Sequence, residues 1–173
     1  DYLDGVKISR IIQFEMAFEG IIKNGEAHNA DLIVMGSHGA NGFQEMFIGS
    51  NTEKVVRNSN VPVLVIKREE DTFNASKFVF ASDFSDEIKK PFEKVVEFVN
   101  KFGSHLYLAN INTPNNFKST KVAQKQMDEF IANFKIDNYS THIYNDVNVE
   151  KGILHFAKSI DADIIGMSTH GRK

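Results

Sequence analysis

The sequence predicts an α/β fold, in which a parallel sheet is covered by helices on both faces. Short runs rich in β-branched residues alternate with helix-length amphipathic stretches along the 173 residues. Two of the runs, Leu32–Met35 and Val61–Ile66, are apolar without alternation, which is typical of strands buried on both faces. Parallel neighbours need a crossover connection, and the helical stretches are long enough to supply it.

Seven strands are predicted, at residues 6–12, 31–36, 61–67, 77–82, 105–111, 139–145 and 163–168. Helices are predicted between them, at residues 14–29, 51–58, 87–102, 119–134 and 148–160. In the last helix, apolar side chains from Val149 to Ile160 recur at i, i+3 and i+4 and form one stripe that can pack on a sheet. Pro91 fits the first turn of its helix, where a missing N–H costs nothing.

The chain also repeats itself at a constant offset of 132 residues, which is the separation of Asp31 from Asp163. Nine positions recur with identical residues: Ile11, Gly20, Ile21, Ala30, Asp31, Ile33, Met35, His38 and Gly39 reappear as Ile143, Gly152, Ile153, Ala162, Asp163, Ile165, Met167, His170 and Gly171. A repeat of that length is a whole domain and not a solenoid unit. Counting strands, the first copy holds only its last three and the second holds its first four.

The composition excludes several classes of protein. A net charge of −3 gives no basic surface for nucleic acid or an anionic membrane. No cysteine is present, so disulfides and Cys-ligated metals are excluded. No apolar run approaches the roughly 20 residues of a membrane helix, and the start of the chain lacks the features of a signal peptide. We therefore expect a cytoplasmic protein without a membrane or nucleic-acid partner.

A glycine-rich segment lies between the two buried strands. Gly36 and Gly39 follow the first strand, and Gly49 and Ser50 come after nine further residues. Glycines at a strand end let the backbone turn with positive φ and approach a phosphate closely. Ser50 is expected to be the N-cap of the next helix, with Glu53 completing a capping box. An isolated Gly-x2-Gly more often merely closes a loop, but the full spacing between two apolar strands favours a nucleotide site.

These residues resemble the C-terminal half of a universal stress protein domain. The resemblance rests on Gly36-x2-Gly39-x9-Gly49-Ser50, on residues 30–39 and on residues 61–67, and it covers nearly all of residues 6–67. Residues 77–85 resemble the first strand of a second such domain. The resemblance thus implies a tandem arrangement: residues 1–68 form the C-terminal half of the first domain, 69–76 a linker, and 77–173 a second domain without its last helix and strand.

The resemblance further implies an open five-stranded parallel sheet of order 3-2-1-4-5, of the Rossmann-like type that binds adenine nucleotides. The implied ligand is ATP or AMP, with or without magnesium, and the implied partner is a second copy, paired as a homodimer through the edge strand Val61–Ile66. In the family an acidic residue lies near the adenosine, and Asp83 matches it. The nucleotide-binding candidates carried over by position are Gly36, His38, Gly39, Gly49, Ser50, Asn51, Thr52, Ala81, Asp83 and Ile111.

The chain departs from the family pattern in each copy. The glycine-rich copy lacks its own first strand and with it a counterpart of Asp83. The copy that contains Asp83 has Ser168 where Gly36 stands, and the chain ends before a second x9-Gly-Ser could occur. Each domain therefore carries one half of a nucleotide site.

No catalytic or metal-ligating residue is predicted. His38 and His170 recur in the two copies and could bond a phosphate, but no nucleophile with a spaced acid partner accompanies them, so a loop histidine bonded to the backbone is the favoured interpretation. The histidines show no H-x3-H or HExxH spacing. Asp31 and Asp163 are interpreted as turn-forming residues.

Three functions remain open at this point. The leading hypothesis is a stress-response regulator that binds ATP or AMP and does not turn it over quickly, because fast hydrolysis needs a metal-holding carboxylate and a positioned water. The second is an interaction scaffold with a vestigial nucleotide site. The third is a slow ATPase or phosphotransferase, in which Ser50 and Thr52 lie close to a γ-phosphate.

Overall fold

The computed structural model describes residues 4–12, 14–37, 49–67 and 72–168, and the chain divides into two units, Asp1–Glu69 and Glu70–Lys173. The first unit contains α1 (Ala17–Ala27), β1 (Ile33–Gly36), α2 (Ser50–Asn58) and β2 (Val63–Ile66). Strands β1 and β2 pair in parallel, with Ile33 opposite Val63 and Gly36 opposite Ile66. Helices α1 and α2 contact each other.

The second unit is larger and builds a four-stranded sheet. Its elements are β3 (Lys77–Ala81), a 3-10 turn (Asp86–Ile88), α3 (Lys89–Phe102), β4 (His105–Asn112), α4 (Thr120–Ile131), β5 (Tyr139–Asn145), α5 (Val149–Ser159) and β6 (Ile164–Gly166). The strand order is β5-β4-β3-β6, and every neighbouring pair is parallel. Numbered within this unit the order is 3-2-1-4, which confirms the expected α/β class and this part of the expected order.

Two expectations about the sheets differ from the structure. Across the described residues the strands form sheets of two and four, so neither sheet has five strands. Residues 6–12 were expected to form a strand, and that prediction is wrong: they pair with none of the described strands, and Ile12 is 88% exposed. Their counterpart in the repeat is β5, which is stabilised by its ladder with β4. A strand without a neighbour has no ladder to stabilise it.

The core of the second unit is rich in phenylalanine. Between the sheet and helices α3 and α4 lies a cluster that includes Phe78, Phe80, Phe84, Phe92, Leu106, Leu108, Met127 and Phe130. The ring of Phe92 is fully buried and lies 4.8 to 5.0 Å, centroid to centroid, from three other rings of this cluster. Tilted and edge-on contacts of this kind add to the energy of apolar burial. A smaller cluster, which includes Val79, Ile111 and Phe156, packs the opposite face under α5.

The segment before β3, expected to be part of a linker, is packed on the second unit over the residues that the structure describes. The ring of Phe73 contacts that of Phe102 at 5.7 Å, and the Asn74 amide donates to Asp163 Oδ1 at 3.0 Å. Asp163 Oδ2 also accepts the backbone N–H of Lys77 at 2.8 Å. Asp163 therefore joins the beginning of β3 to the beginning of β6. Along the described parts of the chain, every helix is too short or too polar to cross a bilayer.

Candidate functional site

In the first unit, the N-terminus of α2 lies against the carboxyl end of β1. The Thr52 hydroxyl donates to the Gly36 carbonyl at 3.0 Å, and the Gly49 N–H donates to the Ser37 carbonyl at 2.7 Å. Thr52 is buried, so its hydroxyl is committed to this contact. Thr52 therefore fixes the start of α2 to the end of β1.

The start of α2 differs from the expected capping box. Gly49, not Ser50, is the N-cap, and no side chain of the described residues caps the helix. Glu53 bonds the Arg57 guanidinium at 2.9 Å instead of reaching back to the helix start. The first amides of an α-helix have no acceptor inside the helix, so those that begin at Ser50 keep their capacity to bind an anion.

Positive φ was expected at Gly36 and Gly39, the glycines that follow the first strand. For Gly36, which the structure describes, this expectation is wrong. Gly49 has φ −56° and ψ 145°, which any residue can adopt. Among the described glycines only Gly5 and Gly103 have positive φ, so Gly36 does not. The backbone conformation therefore does not require glycine at position 36 or at position 49. The candidates His38 and Gly39 lie outside the described residues.

In the second unit, the corresponding strand-end loop is held by hydrogen bonds. Asp83 follows the buried strand end at Ala81, is exposed, and accepts the Ser85 N–H on Oδ1 at 3.2 Å. Phe84 has φ +55°, a left-handed conformation that is unfavourable for a side chain of this size. Its N–H donates to Ser82 Oγ at 3.0 Å. The loop therefore presents the Asp83 carboxylate at the carboxyl end of β3, where open α/β sheets bind ligands.

Sequence reasoning missed Gln126, which is near Asp83 in space and 43 residues away in the chain. Its Nε2 donates to the Asp83 carbonyl at 2.8 Å and to the Phe84 carbonyl at 3.3 Å. Its Oε1 accepts from Lys118 Nζ at 2.7 Å. A single glutamine in a helix gives no signal of such a contact.

Ile111 can offer only its backbone to a ligand, because its side chain belongs to the core beneath α5. Gly152 of α5 faces it so closely that a Cβ at position 152 would overlap Ile111 Cγ2 and lie 3.1 Å from Asp146 Cβ. Asn112, the residue after Ile111 and the last of β4, bonds Asn145 of β5 and both backbone groups of Lys118. The ends of β4 and β5 are thus joined at the edge that carries the Asp83 loop.

Two acid–base pairs occupy related places in the two copies of the repeat. Lys23 in α1 bonds Glu15 at 2.9 Å, and His155 in α5, at the position equivalent to Lys23, donates from Nδ1 to Asp146 at 2.7 Å. Glu15 raises the pKa of Lys23 above its usual value. The His155 hydrogen bond, followed by that from the Val147 N–H, holds the pKa of Asp146 below its usual value. Each pair ties the segment that precedes its helix to the second turn of that helix.

Two histidines, His105 at the start of β4 and His142 in β5, lie away from the carboxyl ends of the strands. His105 Nε2 and His142 Nε2 lie 2.9 and 2.8 Å from the same Ser140 hydroxyl. Burial, and then the neighbouring His105, lower the pKa of His142. No group of three or more His, Cys, Asp or Glu side chains that could hold a metal ion occurs among the residues that the structure describes.

Comparison with known sequences identifies relatives for the first unit. Residues 2–67 match the sequence model of the universal stress protein family. A universal stress protein of Methanocaldococcus jannaschii is 45% identical over 65 residues, which are 38% of this chain and 40% of that protein. A second one from the same organism is 37% identical over 68 residues, 39% of this chain and 34% of the relative. The matched part thus spans well under half the length of these curated relatives.

Comparison with solved structures extends the likeness to both units. A crystal structure of a universal stress protein from Archaeoglobus fulgidus superposes with a TM-score of 0.65 at 28% identity, covering 90% of this chain and 55% of that one. A putative universal stress protein from Pseudomonas aeruginosa gives the same TM-score at 16% identity, covering 88% and 57%, which shows the shared fold alone.

Proposed function

We infer that this chain, a member of the universal stress protein family through residues 2–67, is a regulator that binds an adenine nucleotide, ATP or AMP. The observation that carries the proposal is the start of α2. Its amides carry no cap from a side chain of the described residues, and the Thr52–Gly36 hydrogen bond holds them at the end of β1. A helix N-terminus fixed at a strand end favours an anionic group there, through both its N–H donors and its dipole.

A pair of substitutions at Ser50 separates the helix amide from the hydroxyl. Ser50→Ala removes only the hydroxyl, whereas Ser50→Pro also removes the backbone N–H. Proline is tolerated at the first helical position, and Gly49, with ψ 145°, already has the backbone that a residue before proline adopts. Both variants should therefore fold.

Isothermal titration of the 173-residue chain with ATP and AMP tests the proposal. A hydrogen bond to a charged group contributes about 1.5–3 kcal/mol, so Ser50→Pro should weaken binding at least about tenfold more than Ser50→Ala does. Equal affinities for the two variants would show that this amide does not contact the nucleotide. Absence of heat from the unsubstituted chain at millimolar nucleotide would remove the proposal.

We propose no rapid turnover at this site. The alternative, a slow ATPase or phosphotransferase, requires Ser50 to act near the γ-phosphate. Measurable phosphate release that disappears with Ser50→Ala, while nucleotide binding persists, would favour that alternative.

A second candidate function is an interaction module that pairs through β2. Pro62 and Ile66 direct their carbonyls toward β1, so the alternation of a strand directs the backbone groups of Val63 and Val65 toward the other edge. Within the described residues that edge has no neighbouring strand. An apolar, unpaired edge is suited to adding a strand from a second copy.

Val65→Pro tests this pairing, because it removes an outward N–H without touching the ladder to β1. Proline is compatible with an edge strand. If the chain forms a homodimer through β2, sedimentation should show a monomer for Val65→Pro and a dimer for the isosteric control Val65→Thr. A dimer that survives Val65→Pro would exclude pairing through this edge.

A further inference from the structure

The loop that carries Asp83 is held in place from α4 by two residues one helical turn apart. Gln126 donates to the carbonyls of Asp83 and Phe84, and the ring of Phe130 lies edge-on to that of Phe84 at 5.4 Å. Phe84 is 3% exposed although its backbone is left-handed. A side chain of this size keeps such a conformation only where its surroundings over-determine it.

The amide of Gln126 uses both its donor and its acceptor in this arrangement. Its Nε2 donates to the two loop carbonyls, while Oε1 accepts from Lys118 Nζ. Lys118 is itself fixed, because its N–H donates to Asn112 Oδ1 and its carbonyl accepts from Asn112 Nδ2. Asn112 of β4, acting through Lys118, therefore determines the orientation of the Gln126 amide. In this orientation Nε2 faces the two loop carbonyls, which need a donor.

We propose that Gln126 is a positioning residue for adenosine: it fixes the left-handed turn at Phe84 and so sets the direction in which Asp83 presents its carboxylate. The assignment rests on the proposed nucleotide-binding function and names a residue that this function had not included. Gln126 does not touch the ligand and acts through the Asp83–Phe84 backbone. The series Asn112–Lys118–Gln126 then connects the carboxyl ends of β4 and β3.

Gln126→Glu is the sharpest substitution, because it keeps the size of the side chain and its acceptor for Lys118. It replaces the two N–H donors by an oxygen that faces two carbonyl oxygens. Gln124→Ala is the matched control: Gln124 is on the same helix and also makes two hydrogen bonds, to Asp128 at 2.8 Å and Thr141 at 3.1 Å, away from the loop.

The first measurement is amide hydrogen exchange in the 173-residue chain without ligand. The N–H groups of Phe84 and Ser85 are bonded inside the loop, so their exchange reports how well the loop is held. We expect exchange at both to accelerate at least tenfold in Gln126→Glu and to be unchanged in Gln124→Ala. Unchanged exchange in Gln126→Glu would overturn the assignment.

The second measurement is titration with adenosine, with ATP and with inorganic tripolyphosphate. We expect Gln126→Glu to weaken adenosine binding about tenfold and to leave tripolyphosphate binding unaltered, whereas a purely structural residue would lower thermal stability without this selectivity. Faster exchange with unaltered adenosine affinity would overturn the positioning role. If the unsubstituted chain binds ATP but not adenosine, the positioning role is overturned while the proposed function stands; if it binds neither, the proposed function fails.

Discussion

Helix α5 packs closely on β4 because position 152 has no side chain. An added methyl in Gly152→Ala would overlap Ile111 Cγ2 and press on Asp146 Cβ. Neither group can give way easily: Ile111 is β-branched and held in a strand, and Asp146 is bonded to His155. The substitution therefore forces the helix away from the sheet.

The expected magnitude is the difference between two opposing terms. Alanine is favoured over glycine inside a helix by about 1 kcal/mol. Inserting a methyl into a packed site costs about 1–3 kcal/mol, and the overlap with Ile111 belongs to the upper part of that range. We expect a net loss of about 1–2 kcal/mol, which lowers the melting temperature of a domain of this size by about 4–8 °C for each kcal/mol.

Urea denaturation, followed by tyrosine fluorescence, measures the loss of stability of the second unit. The chain has no tryptophan, and of its four tyrosines all but Tyr2 lie in the second unit. Gly103→Ala serves as a contrast, because a Cβ there meets nothing within 4 Å although φ is +65°. Its cost comes from the left-handed backbone alone, about 1–2 kcal/mol.

A second-site substitution decides whether Ile111 is the cause. Ile111→Leu removes Cγ2, so in that background Gly152→Ala should cost much less, whereas the cost of Gly103→Ala should not change. If Gly152→Ala stabilises the second unit, or lowers its free energy of unfolding equally in both backgrounds, overlap with Ile111 is refuted as the cause.

Three further predictions concern pH and the core. Because the pKa of His142 is lowered in the native state, the unfolded chain binds a proton at this histidine more tightly than the native state does. The stability of the fold is therefore full above pH 6.5 and decreases as the pH falls below it. His142→Gln should flatten this decrease in urea titrations, and equal slopes would contradict the prediction. The lowered pKa of Asp146 contributes stability that is present above pH 3.8 and lost as the pH falls below it. The melting temperatures of Asp146→Asn and the unsubstituted chain should therefore converge between about pH 5 and about pH 2, and a constant gap would argue against the His155 hydrogen bond as its cause. Phe92→Ala should lower the free energy of unfolding by about 3–5 kcal/mol, whereas Phe117→Ala, at a side chain that is 73% exposed, should lower it by less than about 0.5 kcal/mol. Similar losses for the two variants would contradict the central role of Phe92 in the core.

Local patterns were sufficient to predict most of the elements. The apolar run Val61–Ile66 and the β-branched segment Tyr139–Asn145 were recognised from composition, and both contain strands. The helical stripe that begins at Val149 was recognised from its period, and the repeat indicated which strands correspond. The sequence of residues 6–12 resembles that of β5. A local sequence pattern, however, does not show whether a neighbouring strand is present to pair with.

The candidate site was predicted less completely, because its geometry depends on distant contacts. The bond from Thr52 to Gly36 spans 16 residues and changes Thr52 from a ligand candidate into an anchor. The bond from Gln126 to Asp83 spans 43 residues and adds a residue that composition does not distinguish from other glutamines. Serine is the better N-cap by propensity, but the N-cap of α2 is Gly49, whose N–H is bonded to the distant Ser37 carbonyl.

The phenylalanine cluster determines how this molecule can be observed in solution. Met127 is fully buried in the same cluster as Phe92 and Phe130. Its methyl group therefore experiences the magnetic fields of nearby aromatic rings, which displace its NMR signal from that of a methionine in water. One methyl resonance can thus act as a spectroscopic marker of whether α4, the helix that carries Gln126, is docked on the sheet.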